Sequence, residues 1–578
     1  MNVFQLVQDR FKQALAKIEG AENASAPLAR STRPEFGEYQ FNGAMGLAKL
    51  LKQNPRQIAT QIVELVEMDD IAESLDIAGP GFINVKLKPQ WLAAQIETAL
   101  SDERLSVEKE SAQTVVVDLS APNLAKEMHV GHLRSTIIGD AVANVIDFLG
   151  HNVIRQNHMG DWGTQFGMLI AHLQDKLQAS EVATTALSDL EDFYRQAKIR
   201  FDEEDGFADR ARAYVVKLQG GDAECKKLWQ QFIDVSILHS EQVYKKLNVN
   251  LKHEDIMGES AYNPMLADVV ADLKQQGIVV KDQGAQVVFL PELANKDGEP
   301  AVYIVEKSGG GFLYSTTDLA AMKYRSFELN ADRIIIFTDA RQAFHFKQAE
   351  IVGRKGGLIK ESTTYEHGPF GMMLGKDGKP FKTRTGGTVK LVELLDEAVE
   401  RAEKLLAERE SGLSADEQKE IARKVGIGAI KYADLSKNRT TDYIFNWDTM
   451  LSFEGDTAPY LQYAYTRIKS IFRKAGLDAN NFNATVIIEA DQEKALAVKL
   501  LQFVEAINGV SANLTPHLLC SYLYELSSLF MTFYEACPML KDGIPEETKN
   551  SRLALSLLVA NTLQKGLDLL GIETMEKM

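Results

Sequence analysis

The sequence has few cysteines, no long apolar run and no excess of positive charge. Its three cysteines, Cys225, Cys520 and Cys537, are far apart and form no CxxC pair, so they predict neither a disulfide framework nor a zinc site. No run approaches the ~18 consecutive apolar residues of a transmembrane helix. Charged residues interrupt the first twenty positions, which is not the pattern of a signal peptide. These absences predict a cytoplasmic protein without a membrane partner.

The charge balance is acidic, with 64 Lys and Arg against 81 Asp and Glu and a net charge of −17. An acidic surface repels phosphate backbones, so we expect no general binding to DNA. A shaped nucleic acid could still bind a local basic patch, and residues 421–475 contain nine Lys or Arg against five Asp or Glu. At ~150 residues per domain, the 578 residues predict three or four domains.

The spacing of apolar residues divides the chain into regions of different structure. Residues 1–110 combine a helix-period segment with an alternating one, which predicts a small α+β domain. From 111 to about 390, β-branched runs alternate with helical patterns, which predicts an α/β fold with a doubly wound, Rossmann-type parallel sheet. A charged helical stretch at about 175–300 is interpreted as an insertion. After residue 391 the pattern is helical to the end, which predicts an all-α region.

The most informative segment of the sequence is Ala121–Asp140. The run TVVVDLS predicts a buried strand that ends at Ser120, and after a loop a helix begins near His129-Val130-Gly131-His132. The N-terminus of a helix offers unpaired N–H groups and a positive dipole end, which suits a phosphate. Histidines three residues apart lie on one helical face and can reach one ligand. A glycine between them allows a ring or phosphate to approach the backbone closely. Two surface or capping histidines remain the alternative.

The segment APNLAKEMHVGHLRST (121–136) resembles the HIGH signature of class I aminoacyl-tRNA synthetases, in the form found in arginyl-tRNA synthetases. Other segments similar to that family follow in order. They are GDWGTQFG at 160–167, FLYSTTDLA at 312–320, KYADLSKNR at 431–439 and YLQYAYTRIKS at 460–470. The resemblance covers nearly the whole chain, including AGPGFINVKL at 78–87.

The resemblance implies an arginine–tRNA ligase that works in two steps. Such an enzyme joins L-arginine to the α-phosphate of ATP, with Mg²⁺, and transfers the arginyl group from the adenylate to tRNA(Arg). We expect it to be a monomer. Imidazoles that donate hydrogen bonds to the reacting phosphate stabilise charge that develops in the transition state. The implied nucleotide-binding residues are Pro122, His129, Gly131, His132 and Lys382.

Selection of arginine requires a carboxylate that can pair with a planar cation, ideally through two parallel hydrogen bonds. Tyr314 and Asp318 are four residues apart, so in a helix they share one face. The arginine-binding residues implied by the resemblance are Asn123 for the α-amino or carboxylate end, Tyr314 and Gln342 as polar walls, and Asp318 for the guanidinium. The residues alone also allow an exposed helix carboxylate at 318 and a core aromatic at 314.

The KMSKS motif, which marks a mobile loop in class I enzymes, is absent from this sequence. The corresponding residues, 375–391, read GKDGKPFKTRTGGTVKL, which is rich in glycine and lysine but is not that motif. Some members of the family that lack the motif carry a lysine upstream of the two histidines, and Lys126 matches that description. We therefore expect Lys126 to be catalytic together with His129 and His132, although a solvated loop lysine would look the same.

The C-terminal region interleaves aromatic residues with cations between 460 and 474. Such rings stack on exposed RNA bases while cations contact phosphates, although an amphipathic helix with core aromatics gives the same pattern. The resemblance implies that 454–578 is a helical anticodon-binding domain, that 391–453 contacts the tRNA stem and that 1–110 also contacts tRNA. The implied anticodon contacts are Tyr460, Arg473, Tyr534 and Met578.

Two other functions remain possible from the residues alone. The first is a different nucleotidyltransferase with an HxGH helix that acts on a small molecule, which would leave the basic and aromatic C-terminal region unexplained. ATP–pyrophosphate exchange that depends on tRNA, as in arginyl-tRNA synthetases, would distinguish the two. The second is a non-catalytic RNA-binding protein, for which the combination of His129, Gly131, His132 and Asp318 has no use.

Overall fold

The computed structural model describes residues 2–31, 33–178, 189–381, 389–408 and 412–578. The described helices, in chain order, are α1 Val3–Leu15, α2 Ala44–Leu51, α3 Pro55–Leu65, α4 Pro89–Leu100, α5 Gly131–Phe148, α6 Gln165–Gln178, α7 Leu190–Glu203, α8 Phe207–Gln219, α9 Ala223–Leu247, α10 Leu266–Gln275, α11 Tyr314–Lys323, α12 Ala343–Lys355, α13 Leu391–Ala407, α14 Ala415–Leu435, α15 Trp447–Met450, α16 Ala458–Ala475, α17 Asp491–Leu501, α18 Phe503–Asn513, α19 His517–Ala536 and α20 Glu546–Leu569. The strands are β1 Leu28–Arg30, β2 Tyr39–Phe41, β3 Ala72–Ala78, β4 Phe82–Leu87, β5 Thr114–Asp118, β6 Asn152–Gln156, β7 Val280–Asp282, β8 Ala285–Leu290, β9 Ala301–Glu306, β10 Arg333–Ile336, β11 Thr364–His367, β12 Met373–Leu374 and β13 Tyr443–Ile444.

The N-terminal region is an antiparallel sheet with helices packed on it. The strand order is β1-β2-β4-β3, and every neighbouring pair is antiparallel. The alternating residues Ile83, Val85 and Leu87 of β4 are fully buried, so the predicted strand is confirmed. The apolar face of α1 is buried as well, which confirms the helical spacing. This region is α+β, as expected.

The central region contains a four-stranded parallel sheet in the order β11-β10-β5-β6. The predicted strands at 114–120, from 152 and at 333–339 are β5, β6 and β10, so the doubly wound fold is confirmed. From β5 the chain passes through α5 to β6 on one side, whereas β10 lies on the other side of β5. The crevice beyond the carboxyl ends of β5 and β10 is therefore the topological switch point, where ligands bind in such sheets.

Helix α5 lies unusually close to the strands of this sheet. A Cβ added at Gly139 would lie 2.4 Å from the Cβ of Leu119 and 3.3 Å from Cδ2 of Phe337. Leu119 follows β5 and Phe337 follows β10, so the glycine lets the helix approach both strands at the switch point. The apolar residues of α5 are buried nearly all round, which explains the high apolar content of this helix.

The predicted insertion at about 175–300 is mostly helical and ends in strands. Its described part contains α7 to α10 and the strands β7 and β8. Together with β9 these strands form an antiparallel sheet in the order β7-β8-β9. The strand expected around residues 287–290 is part of β8. The sheet brings β9 beside α11, because the hydroxyls of Ser315 and Thr316 donate to the carbonyls of Ile304 and Val305 at 2.6 Å each.

The regular elements among the described residues after 391 are helices, apart from the short strand β13. The stretch Asp491–Asn513 has the length and mean hydropathy, 1.3, of a membrane-crossing helix. It consists of the two helices α17 and α18, and 56% of it is buried inside the protein. Its apolar side chains belong to the core of the helical region, so length and composition alone do not make it a membrane span.

Candidate active site

A strained turn carries the chain from the end of β5 toward α5. Ser120 and Ala121 have φ angles of +69° and +48°, which residues with a side chain adopt at a cost. The Ser120 and Tyr244 hydroxyls lie 2.8 Å apart, and the Ala121 N–H donates to Asn157 Oδ1 at 3.0 Å. These contacts hold the turn and place Pro122 at the carboxyl edge of the sheet. Strain of this kind is concentrated at functional sites.

The two histidines of the HxGH segment lie together at the start of α5, with ring centroids 4.1 Å apart. The His129 N–H donates to His132 Nδ1 at 3.1 Å, and the Gly131 N–H donates to His129 Nδ1 at 3.0 Å. Each Nδ1 therefore accepts a hydrogen bond, so a neutral ring carries its proton on Nε2. The turn thus presents two Nε2–H donors side by side.

Both imidazoles are neutral at pH 7. Burial lowers the pKa of His129, and the nearby charge of Lys126 lowers it further. Burial, with a smaller contribution from His129, lowers the pKa of His132 to about 3. Neutral donors bind a phosphate without first needing a proton, so the pair can act over a wide pH range.

Gly131 has a structural reason that the sequence did not show. A Cβ at this position would lie 2.7 Å from Cε1 and 2.9 Å from Nδ1 of His129, so the His129 ring occupies that space. The glycine therefore shapes the histidine turn itself. The expectation that the missing side chain lets a ligand approach the backbone is separate from this contact. The contact of Gly131 with a nucleotide stays a prediction.

Lys126 lies beside the histidines and contacts the insertion. It is exposed, and its ammonium lies 4.3 Å from the centre of the Tyr194 ring on α7. This cation–π contact, and the effect of its charge on the pKa of His129, distinguish Lys126 from a freely solvated loop lysine. The arrangement fits a cation that faces the phosphates of a nucleotide.

The loop that contains Asn123 is braced by the segment 157–161. Asn123 forms a parallel bridge with Gly160, whose N–H donates to the Pro122 carbonyl at 3.0 Å. Asn123 Oδ1 accepts the N–H of Ala125 at 3.0 Å, and the side chain is exposed at the mouth of the crevice. The expected contact of Asn123 with the amino acid therefore stays a prediction that the position allows.

Asp318 lies on α11 in a partly buried setting. It is 19% exposed, and its Oδ2 lies 2.6 Å from Nε2 of His345 on α12. Tyr314 is on the same face of α11, packs edge-on against His345 at 5.1 Å and is 66% exposed. Asp318 is therefore not an exposed helix carboxylate, and Tyr314 is not a core aromatic, so neither alternative reading of the sequence describes its residue. Gln342 is exposed in the turn just before α12, one helical turn from His345.

Glu259 is a neighbour of Asp318 that the sequence did not reveal. Burial, followed by the charges of Asp318 and Asp161, raises the pKa of Glu259 to about 8. Among the described residues no ion pair or hydrogen bond involves the Glu259 carboxylate, whereas Asp161 accepts two hydrogen bonds from Ser260. Three carboxyl groups thus lie close enough to affect one another, and among the described residues neither Glu259 nor Asp161 forms an ion pair with a Lys or Arg side chain. A bound guanidinium would supply a cationic partner.

The histidine side and the Asp318 side of the crevice are joined by the segment 157–161. Gly160 pairs with Asn123, and the Glu259 N–H donates to the Met159 carbonyl at 3.0 Å. The buried ring of His158 is close enough to Asp318 and Asp161 for both charges to affect its pKa, which burial lowers. The segment 157–161 therefore links the loop that leads to the histidine turn with the surroundings of Asp318.

The predicted nucleotide-binding residue Lys382 lies outside the described residues. The residues that follow the loop are described, and they pair with the histidine turn. The Val130 N–H donates to the Val389 carbonyl at 3.1 Å, and the Leu391 N–H donates to the Met128 carbonyl at 2.9 Å. The end of the glycine- and lysine-rich segment 375–391 is therefore fixed beside His129.

A second cavity, of about 440 Å³, lies in the C-terminal helical region. Arg473, Tyr534 and Met578 line it together with Arg467, whose guanidinium lies 4.6 Å from the centre of the Tyr534 ring. Aromatic rings beside cations suit a stacked base. Tyr460 does not line this cavity, because it is half-buried and packs near Tyr524 at 5.8 Å. Three of the four predicted anticodon contacts are thus brought together.

The basic patch at 421–475 is not a continuous cationic surface. Lys431 is fully buried and donates to three carbonyls, those of Leu247, Asn248 and Gly571. Arg439 donates to the carbonyls of Leu514 and Pro369. Arg423 and Lys424 pair with Glu573 and Glu420. The positive balance was therefore misread, because several of these cations join segments of the protein to one another.

The described residues contain no cluster of three or more His, Cys, Asp or Glu side chains arranged to hold a metal ion. The three cysteines are free and buried.

Comparisons with known proteins give one consistent family. Three family models match this chain. They are described as "tRNA synthetases class I (R), catalytic domain" over residues 95–447, "DALR anticodon binding domain" over 461–578 and "Arginyl tRNA synthetase N terminal domain" over 5–87. The arginine–tRNA ligases of Alteromonas mediterranea and Pseudoalteromonas atlantica are 71% and 68% identical to this chain, with 100% of each chain covered.

Solved structures agree with these matches. The arginyl-tRNA synthetase of Plasmodium falciparum aligns with a TM-score of 0.85 at 29% identity, over 100% of this chain and 99% of the other. That of Thermus thermophilus aligns with a TM-score of 0.83 over 100% of both chains. At 24% identity the second likeness concerns the fold alone.

Proposed function

The chain belongs to the class I arginyl-tRNA synthetases, and we propose that it attaches L-arginine to tRNA(Arg) in two steps at the crevice described above. First, a carboxylate oxygen of arginine attacks the α-phosphorus of ATP, and the bond to pyrophosphate breaks. Second, a hydroxyl of the terminal tRNA ribose attacks the arginyl carbonyl carbon, and AMP leaves. The link between the loop of the histidine turn and the surroundings of Asp318, through the segment 157–161, supports this function most directly.

In this proposal His129 and His132 stabilise the reacting phosphate. Their Nε2–H groups point away from the backbone donors that hold Nδ1, so two neutral donors are available to the oxygens that gain charge in the transition state. Lys126 supplies the positive charge for the leaving pyrophosphate, in place of the missing loop motif. Pro122, Gly131 and Lys382 complete the nucleotide site by resemblance to the family.

Mg²⁺ enters as part of the ATP substrate. Because the described residues hold no cluster suited to a metal ion, the phosphate oxygens and water are its expected ligands, which suits the preference of Mg²⁺ for such a shell. No residue of this chain is proposed to be its fixed ligand.

The amino acid site is proposed to be the carboxyl pocket around Asp318. Asp318 pairs with the guanidinium, and Glu259 provides a second carboxylate once the bound cation lowers its pKa. Tyr314 and Gln342 flank the entrance, and Asn123 faces the α-amino or carboxylate end from the nucleotide side. Lysine cannot fill a fork built for a planar cation, so the site needs no editing domain.

The tRNA is proposed to contact both the C-terminal helical region and the N-terminal α+β region. The cavity of Arg473, Tyr534 and Met578 suits an anticodon base, with stacking on the ring and charge from the guanidinium groups. Tyr460 lies outside that cavity and is proposed only as a flanking contact. The N-terminal α+β region is proposed to contact the tRNA elsewhere, by resemblance alone.

The enzyme is proposed to act as a cytoplasmic monomer. One chain supplies the histidine pair, the carboxyl pocket and the C-terminal cavity, so no second copy is needed to complete them. Its three free, buried cysteines suit a reducing compartment.

ATP–pyrophosphate exchange tests the proposal. With tRNA present, arginine should support exchange, whereas lysine and citrulline, which has the same shape without the charge, should not. Asp318→Ala should lower arginine-dependent exchange by about 100-fold or more, because losing one partner of a buried charge pair costs about 3 kcal/mol. ATP binding, measured separately, should survive.

The matched control is Asp272→Ala, which removes a carboxylate that pairs with Lys323 at the other end of the same helix. It should leave exchange within about threefold of the wild type, as surface ion pairs contribute little. Exchange with arginine by Asp318→Ala at the wild-type rate would remove Asp318 from the site. Exchange with a small molecule other than arginine would favour the alternative nucleotidyltransferase.

A further inference from the structure

Lys390 joins three separate segments of the chain at the edge of the active site. It immediately precedes α13, and its Nζ lies 3.3 Å from Oε1 of Glu127 and 3.0 Å from Oδ1 of Asp189. Lys390 is 23% exposed and Glu127 13%, so this ion pair is partly shielded from water. Removing one partner of a shielded pair leaves the other charge uncompensated, which costs more than breaking a fully exposed pair.

The backbone of Lys390 is in register with the histidine turn. Lys390 and His129 form an antiparallel bridge, flanked by hydrogen bonds that join residues 128 and 391 and residues 130 and 389. The side chain then reaches back to Glu127, two residues before His129. Backbone and side chain together fix both the position and the direction of the turn.

The partners of Lys390 also fix the helix that carries Tyr194, whose ring contacts the Lys126 ammonium. Glu127 accepts the N–H of Leu190 at 3.1 Å, at the start of α7. Asp189 caps the same helix. One turn further along α7 lies Tyr194, and the Lys126 ammonium lies over its ring. Lys126 is thus held from two directions, through its chain neighbour Glu127 and through Tyr194.

We propose that Lys390 is a positioning residue for adenylate formation, which holds Lys126 and the histidine turn in place by pairing with Glu127 and Asp189. The inference rests on the proposed function, because it assigns Lys390 a part in that reaction. Without Lys390, the Glu127 carboxylate would lose its cationic partner next to the lysine that faces the pyrophosphate. It would then compete with the phosphates for the Lys126 ammonium.

The protonation state of Lys390 suits this role. Burial lowers its pKa, but hydrogen bonds and charges from Asp189 and Glu127 outweigh burial, so the net change is upward. Lys390 therefore stays charged throughout the neutral range, and its pairing does not change with pH there.

Lys390→Met tests the proposal, because it keeps the length of the side chain and removes the charge. Arginine-dependent ATP–pyrophosphate exchange should lose about 10- to 100-fold in kcat, since small displacements of reacting groups have effects of that size. KM for arginine should not change, because the Asp318 pocket is untouched. Lys390→Arg, which can still pair with both carboxylates, should recover most of the activity.

Lys246→Met is the matched control. Lys246 pairs with Asp396 on α13 at 2.5 Å, so this variant breaks a more exposed lysine–carboxylate pair at the same helix without touching the turn. Exchange should be unchanged. Glu127→Gln is a milder variant that leaves Lys390 paired with Asp189, and it should show a smaller loss of kcat of the same kind. It keeps the test decisive even if Lys390→Met unfolds.

A double-mutant cycle separates positioning from general stability. If Lys390 acts partly through Lys126, the double variant Lys126→Ala/Lys390→Met should lose clearly less activity than the product of the two single losses. Independent, multiplied losses would overturn the inference, and so would a Lys390→Met enzyme with the wild-type kcat. If the wild type itself shows no arginine-dependent exchange, the proposed function fails first, which is a different result from an active wild type that tolerates Lys390→Met.

Discussion

At the scale of residues, the site combines neutral donors on one side with a cluster of carboxyl groups on the other. The His129 and His132 rings are held neutral by burial, and each has its Nδ1 occupied by a backbone N–H. Across the crevice, Asp318 is paired with His345, whereas Glu259 has a raised pKa. The two sides therefore suit substrates of opposite charge, a triphosphate and a cationic side chain.

The raised pKa of Glu259 predicts that arginine binding releases a proton. Below pH 8 the free carboxyl is mainly protonated, and a guanidinium beside it favours the ionised form. Arginine affinity should therefore rise with pH up to about 8, by at most about tenfold per unit. Calorimetry at pH 7 in two buffers of different ionisation enthalpy should find release approaching about one proton per arginine.

Glu259→Gln is the control for this measurement, since the amide cannot titrate. The variant should bind arginine more weakly and without the pH dependence. Proton release that persists in Glu259→Gln, or arginine affinity that falls between pH 6 and 8, would contradict the assignment of Glu259.

At the scale of elements, α5 links the chemistry to the sheet. Its N-terminus carries the histidine pair, and its middle approaches β5 and β10 at Gly139. Arg134, also on α5, is buried and pairs with Asp434 of α14 at 3.1 Å. Any displacement of this helix would therefore move the imidazoles relative to both the sheet and the helical region.

Gly139→Ala tests how closely the helix must approach the sheet. The new Cβ would meet Leu119 at 2.4 Å, so the helix must shift, and overpacking of this kind costs about 1–3 kcal/mol of unfolding free energy. Urea unfolding should show this loss, and kcat for exchange should fall in the folded fraction.

Gly46→Ala on α2 is the matched substitution. A Cβ there has no neighbour within 4 Å, so it should stabilise the protein by about 0.4–1 kcal/mol through the unfolded chain. If Gly139→Ala were as stable and as active as Gly46→Ala, the close contact between α5 and the sheet would not matter.

The sequence predicted helices and strands better than it predicted which side chains contact one another. The β-branched runs at 114–120 and 333–339 gave buried parallel strands because such residues pack well on both faces of a sheet. Glu259 could not be found, since it lies in the insertion without a motif and meets Asp318 only after folding. Lys431 was counted as a surface cation, although it is buried among three carbonyls. Charge is visible in a sequence, but its burial is not.

At the scale of the whole molecule, the two functional regions are physically connected. Lys431 of α14 donates to the Gly571 carbonyl, and Asn144 of α5 donates to the Leu569 carbonyl at 3.3 Å. From Gly571 the chain runs to Met578 in the C-terminal cavity. The helix that carries the histidines therefore contacts the segment that leads to the proposed anticodon site.

The central claim is that this chain selects arginine in the crevice and joins it to the tRNA read by the C-terminal region. Charging of total tRNA by the full-length protein, with each of the twenty amino acids in turn and ATP with Mg²⁺, tests it most directly. We predict that arginine alone becomes esterified, and only to tRNA(Arg). Esterification of any other amino acid would contradict the account. So would a folded protein that esterifies no arginine to tRNA.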